Sequence, residues 1–419
     1  MTSGPLISEP VASGLMASGQ SLPELLAPAG TMEKLHAALH YGADAVYLGL
    51  TDFSLRAKAK NFTADTLKEA LDVVHKARKK AYITINIFPH NGDIAPIERH
   101  ITALKELNPD AVIVSDIGVF DMIKTLTTDI PIHISTQANI TNYRSALTWQ
   151  RLGAKRLVLS RELSIDEIRQ IRDAVTIELE CFVHGSICIS YSGRCYLSSF
   201  LANRGANKGL CTNSCRWSYQ LMEEKRPGEY MPIYEDGRGA YILSPRDLCM
   251  VEHLDKLATA GVDSFKIEGR TKGVNYVSGV TKIYREAIDA LATAPYKINN
   301  TWLRELEMFS NRGFTTGMCL GRHPDADYSY DETHAPADYV IAGVVKAVRG
   351  SSATVLLKGN LAVGDEVVFL SSAAHNGSFI IKGLNNAEGI PIAAARNEDI
   401  VLMEVPEGVK KNDIVRRRV

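Results

Sequence analysis

Ser264-Phe265-Lys266-Ile267-Glu268-Gly269-Arg270 is the stretch on which the fold turns. A short apolar run passes into polar residues and a glycine, the pattern of a buried strand entering a loop. Helical periodicity follows over roughly 275–291. Working back toward the N-terminus, the same unit recurs. Leu25–Gly30, Ala45–Gly49, Tyr82–Phe88, Ala111–Asp116, Ile132–Gln137, Leu157–Glu162 and Ile177–His184 all read as strands, separated by helical stretches such as 64–80. Thr31 stands where an N-cap belongs, with Lys34 at the position where a Glu would complete a capping box. With the run at 264–270, eight short strands alternate with helices. That count predicts an α/β fold, a closed (β/α)8 TIM-like barrel rather than an open sheet. No Gly-x-Gly-x-x-Gly follows the first strand, which weighs against dinucleotide binding.

In such a barrel the active site gathers at the C-terminal ends of the strands. The polar residues there are Asn86, Ser115, Asp116, Gln137, Arg161, Glu162, His184, Glu268 and Arg270, each readable also as a simple loop cap. On position and charge, Glu180, His184, Lys266, Glu268 and Arg270 form the candidate catalytic set. Glu or His suits proton transfer, and Lys or Arg suits anion binding.

Two departures interrupt the rhythm. An insertion after strand seven, residues 185–263, carries five of the seven cysteines. Insertions of this size in a compact domain are usually functional. Past residue 335 the pattern changes to short strands with Gly and Asn turns, at Val340–Lys346, Ala353–Leu357, Glu366–Leu370, Phe379–Lys382 and Ile400–Val405. This predicts a small C-terminal β-barrel over 336–419, joined to a barrel domain over 21–335. Lys410, Lys411 and Arg416-Arg417-Arg418 give it a basic end, readable as a nucleic-acid surface or as a solvated tail.

Cys188, Cys195, Cys211 and Cys215 stand as C-x6-C-x15-C-x3-C. Structural zinc prefers two close cysteine pairs, which the C-x3-C half satisfies and the C-x6-C half does not. A 4Fe–4S cluster tolerates irregular spacing because its corners are widely separated. Spacing alone leaves cluster and zinc open. Two disulfides would need secretion, and residues 1–20, rich in Ser, Gly, Ala and Pro, read as a disordered leader rather than a signal peptide. Cys181, Cys249 and Cys319 read as ordinary buried or half-buried cysteines. Arg194, Arg204, Lys208 and Arg216 interleave with the four cysteines, and Tyr191, Tyr196, Trp217 and Tyr219 lie nearby. Cations beside aromatics suit phosphate contacts with base stacking, and they also suit balancing and shielding a thiolate cluster.

Composition sets the outer bounds. The chain has 419 residues, 45% of them hydrophobic, and a net charge of −1. That is enough for a sizeable core, and any RNA site must be a local patch rather than a global charge. No apolar run approaches the roughly 18 residues of a membrane span. The expected location is the cytoplasm.

The stretch Glu180-Cys181-Phe182-Val183-His184-Gly185-Ser186-Ile187-Cys188, continuing through Ser192-Gly193-Arg194-Cys195-Tyr196-Leu197-Ser198, resembles the signature of the collagenase-like peptidase family of U type. Glu24–Gly30, Tyr41–Tyr47 and Lys266–Lys272 agree with it in the same order. Cys211-Thr212-Asn213-Ser214-Cys215-Arg216-Trp217 and Arg226-Pro227-Gly228-Glu229-Tyr230-Met231 are similar to the branch of that family that hydroxylates tRNA. The resemblance implies oxygen-independent conversion of the wobble uridine of tRNA to 5-hydroxyuridine. It also implies a 4Fe–4S cluster, with zinc as runner-up, and a prephenate-derived hydroxyl donor. tRNA is then the expected partner, with Arg194, Arg204, Lys208 and Arg216 as expected RNA contacts. Relatives acting on other RNA, and the peptidase activity in the family's name, are the alternatives. Neither a G-x-S-x-G nor an H-E-x-x-H protease motif is present.

Overall fold

The computed structural model describes residues 21–50, 54–55, 61–127, 129–188, 190–216, 235–236, 239–240, 246–309, 313–321, 339–371 and 377–418. The expected leader, Trp217, Tyr219 and the stretch 226–231 lie outside the described residues.

The strands are β1 (Glu24–Ala29), β2 (Ala45–Gly49), β3 (Lys80–Ile85), β4 (Ala111–Val114), β5 (Ile132–Ile134), β6 (Arg156–Val158), β7 (Glu178–Ser186) and β8 (Ser264–Ile267). Each pairs in parallel with the next, and β8 pairs with both β7 and β1, so the sheet closes into the expected barrel. Most strands end sooner than their apolar-to-polar runs suggest. The run expected to reach Phe88 leaves the ladder at Ile85, and Thr136–Ala138 is a 3-10 turn. The polar tails therefore belong to the loops at the barrel mouth.

Alternation divides the side chains. Leu25, Ala27, Leu48, Ile83 and Val114 pack outward against the helices, whereas Leu26, Tyr47, Tyr82 and Ile113 pack together inside the barrel. The helices begin on well-made caps. Thr31 accepts from the amide of Lys34, Thr63 and Thr66 form a capping box, and so do Ser164 and Glu167.

The C-terminal region is an antiparallel half-barrel with its own core, including Val345, Val355, Phe369 and Val401. Its basic end is built in part into the sheet, while Lys410, Lys411 and Arg418 stay exposed. Ile414–Arg418 is a strand between Tyr339–Arg349 and Glu366–Leu370. Arg416 is buried, donates to Asn275 at 2.9 Å and lies 4.6 Å over the Phe309 ring. Its guanidinium is thus spent on the junction with the barrel and does not face nucleic acid. Apolar side chains complete that junction, with Ala37, Tyr41 and Val274 against Val344, Leu370 and Ile414. The Tyr41 hydroxyl donates to Leu370 O and accepts from the amide of Ile414. Among the described residues, no helix is long and apolar enough to cross a membrane.

Candidate active site at the barrel mouth

A pocket of about 80 Å³ opens at the C-terminal ends of the strands. Arg161, Phe182, Lys266, Glu268 and Arg270 form one side of its lining, and Tyr47, Thr84, Asn86, Thr136 and Gln137 contribute to the rest. Three cations and one carboxylate thus converge on a space walled partly by aromatic rings. Arg161 lies 3.9 Å from the centre of the Phe182 ring and donates to Ser186 O. Lys266 lies 4.7 Å from the Tyr47 ring. Arg270 donates to Ser54 Oγ at 2.6 Å and to Thr84 Oγ1 at 2.9 Å. Gly49 makes room for that guanidinium, since a methyl group there would stand 2.2 Å from Nη1. Gly185, at φ +106°, performs the same service for Glu268, whose carbonyl a methyl would meet at 2.7 Å.

Two residues expected at the mouth lie elsewhere. Glu180 is fully buried one layer below the pocket. It accepts from Lys266 at 2.8 Å, from Arg156 at 3.0 Å and from Ser264 at 3.4 Å. Arg156 in turn bonds Glu24 at 2.6 Å and Glu178 at 2.7 Å, so this ionic cluster lies toward the N-terminal ends of the strands. Position explains it: Glu180 is the third residue of β7, too early in the strand to reach the mouth. His184 is displaced sideways. The β7–β8 register jumps from Lys266↔Phe182 to Ile267↔His184, a bulge that re-aims the side chain. Its ring packs among Tyr276, Tyr284 and Phe314, with centroids 5.4–5.8 Å away. Burial there, with Lys272 adding to it, lowers the His184 pKa to about 3. His184 is thus a neutral packing histidine.

The remaining strand-end residues divide by role. Asn86, Gln137 and Arg161 line the pocket. Asp116 caps the helix Ile117–Leu126, and Ser115 ties to Asn86 O and Ile87 O. Glu162 receives the Ser192 amide at 2.6 Å, which anchors the insertion. Several lining residues were not foreseen from sequence; among them, Tyr47, Thr84 and Phe182 lie within apolar runs. Inward parity in a barrel was the only signal for them.

The insertion lies across the mouth. Gly193, at φ +74°, sits so close to Gln137 that a methyl would stand 2.1 Å from its carbonyl oxygen. Arg194 donates to Asn139 at 3.0 Å, the Phe88 amide donates to Asn207 O at 3.0 Å, and Lys208 pairs with Asp93 at 3.0 Å. Arg194 and Lys208 therefore also serve to hold the insertion down. Arg204 is half-buried, and Ser214–Arg216 is a 3-10 turn.

None of the seven cysteines forms a disulfide. Cys188 is exposed, whereas Cys195, Cys211 and Cys215 are half-buried. The Asn213 amide donates to Cys211 Sγ at 3.3 Å, the kind of bond that supports a ligating thiolate. In kind and number these thiols suit a four-cysteine cluster. Among the described residues no three Cys, His, Asp or Glu side chains form a metal-binding group.

Comparison with known proteins fits this picture. Residues 30–328 match peptidase family U32, and residues 337–416 match the C-terminal domain of that family. The chain is similar to tRNA hydroxylation protein P of Escherichia coli (strain K12), at 36% identity over 93% of this chain and 95% of that one. It is also similar to the collagenase of Porphyromonas gingivalis, at 34% identity over 82% and 86% of the two chains. A third relative, the 23S rRNA 5-hydroxycytidine C2501 synthase of Escherichia coli, is 37% identical over 64% of this chain and 39% of its own. On the strength of the family match and of the first two relatives, each covered over more than four-fifths of its length, the chain belongs to peptidase family U32.

Proposed function

We propose that this protein is an RNA-modifying hydroxylase that converts the wobble uridine of tRNA to 5-hydroxyuridine without molecular oxygen. The observation that carries the proposal is the mouth pocket, cationic and aromatic-walled, lying beneath a cysteine-rich insertion. The tRNA hydroxylation relative, alike over nearly its whole length, supports the substrate class.

The pocket suits one flipped pyrimidine base. An anticodon loop is already single-stranded, so extruding a base costs little. Tyr47 and Phe182 offer ring faces to the base. Arg161, Lys266 and Arg270 offer donors to its carbonyls or to the carboxylates of a small hydroxyl donor of the prephenate kind. Among the described lining residues Glu268 is the one carboxylate, and it serves as the proton acceptor beside the base. Cys188, Cys195, Cys211 and Cys215 would hold a 4Fe–4S cluster, with zinc the alternative occupant. Such a cluster would supply electron transfer. Arg194, Arg204, Lys208 and Arg216 would meet the phosphates around the extruded base. A hydrolytic reading is less well served, because among the described residues the pocket lining offers neither a histidine nor a cysteine.

The deciding experiment is nucleoside mass spectrometry of tRNA from cells with and without the gene. Loss of 5-hydroxyuridine on deletion, restored by the parent gene, is expected. An unchanged nucleoside profile would refute the assignment.

A further inference from the structure

The charged cluster below the pocket is not required by the barrel fold. Barrel interiors are ordinarily filled by branched apolar side chains. Here Glu180, Lys266 and Arg156 are all buried on the inside. We propose that Glu180 is a positioning residue, fixing the Lys266 ammonium at the pocket floor so that Nζ donates a hydrogen bond to a ring carbonyl of the base bound there. The proposal rests on the hydroxylase reading and adds an assignment within its site.

Glu180 has little freedom. One carboxylate oxygen accepts from Lys266 at 2.8 Å, and the other from Arg156 at 3.0 Å and Ser264 at 3.4 Å. Arg156 is itself clamped by Glu24 at 2.6 Å and Glu178 at 2.6 Å. A carboxylate held on both oxygens fixes the amine that it faces. Lys266 nevertheless lines the pocket, between the rings of Tyr47 at 4.7 Å and Phe182 at 5.4 Å.

The charges around Lys266 are unequal. From β6 and the loop after it, Arg156 and Arg161 disfavour a further positive charge. His133 on β5 is buried and held neutral, chiefly by burial. Tyr47 of β2 presents its ring. On the segment of Lys266 itself, Glu268 and Arg270 bring one charge of each sign to the pocket. Glu180 is therefore the counter-charge that opposes burial, which pulls the Lys266 pKa below its ordinary value. Glu24 bonds Arg156 and not Lys266, so it supplies a control within the same cluster.

The test uses the full chain. Acetic anhydride labelling of Lys266 is followed against pH by peptide mass spectrometry, and kcat for tRNA hydroxylation is measured over the same range. Removing the charge with Glu180→Gln is expected to move both the labelling curve and the alkaline limb of kcat to lower pH, by about one to three units. Glu24→Gln is expected to lower the melting temperature and move neither. Lys266→Met is expected to lose about 100-fold or more in kcat. If Glu180→Gln does not fold, Glu180→Asp keeps the charge at a shorter reach, and its labelling curve is expected near the parent's while kcat falls. A Glu180→Gln labelling curve that overlays the parent's, or an equal shift in Glu24→Gln, overturns the positioning role. A Glu180→Asp curve displaced from the parent's also overturns it. A shifted labelling curve with an unmoved kcat limb overturns the bond to the base. If the parent does not hydroxylate RNA at all, the functional reading falls, whereas the labelling curves still decide what Glu180 does to Lys266.

Discussion

Substituting Gly49 by alanine tests whether the mouth is built around Arg270. Gly49 ends β2, and a methyl group there would stand 2.2 Å from Arg270 Nη1, 2.6 Å from Cζ and 2.7 Å from Ser54 Oγ. Non-bonded heavy atoms need roughly 3.5 Å, so the guanidinium must retreat by roughly 1.3 Å. That distance breaks its bonds to Ser54, 2.6 Å long, and Thr84, 2.9 Å long. Hydrogen bonds to a charged group contribute about 1.5–3 kcal/mol each, so Gly49→Ala should cost about 3–6 kcal/mol of stability. A misplacement near 1 Å at a reacting site also lowers the rate by about 100-fold. The assay is a double-mutant cycle of Gly49→Ala with Arg270→Ala, read by denaturant unfolding and by hydroxylation rate. With Arg270 truncated, the methyl meets chiefly the Ser54 hydroxyl, which rotates away at small cost. The two losses should therefore overlap, with a coupling energy of about 2 kcal/mol or more. Losses that add to within about 0.5 kcal/mol would refute the reasoning.

Four further outcomes are expected. Protein purified without air should be brown, with about four irons and four sulfides per chain, and Cys188→Ser or Cys211→Ser should bleach it; stoichiometric zinc without labile sulfide would replace the cluster by a zinc site. tRNA binding should weaken steeply with salt, and Arg204→Ala and Lys208→Ala should weaken it further across sequences, measured by filter binding at low and moderate salt. Burial raises the Glu24 carboxyl pKa, but Arg156, Tyr82 and Lys80 outweigh it and hold the group below its ordinary 4.5. Its stabilisation is therefore complete above about pH 4.5 and lost as pH falls through the lower folded value, so melting curves of the parent and Glu24→Gln should converge as the solution is acidified below that value. Arg416→Ala should lower the melting temperature by exposing the junction around Phe309 and Asn275 while leaving tRNA affinity unchanged, because that side chain is buried.

The sequence by itself determined the barrel, because closing a parallel sheet needs only the count and alternation of apolar runs, and β2 was legible to the residue. It also determined that the strand ends carry the polar groups: Arg161, Lys266, Glu268 and Arg270 all meet at the mouth. Which polar residues would not meet there was decided in three dimensions. Glu180 sits a layer too low because a barrel interior is stacked in levels along each strand, and a strand written on one line has no levels. His184 faces away from the pocket because of a bulge, set by pairing with β8 far along the chain, which reverses the inside–outside parity of β7. Arg416 reads as one of three tail arginines, yet its strand is zipped between two partners and its side chain is buried against Phe309 and Asn275. In each case the local sequence is neutral on the outcome, and contacts between residues distant in the chain settle it, since only they define which side of a strand is enclosed.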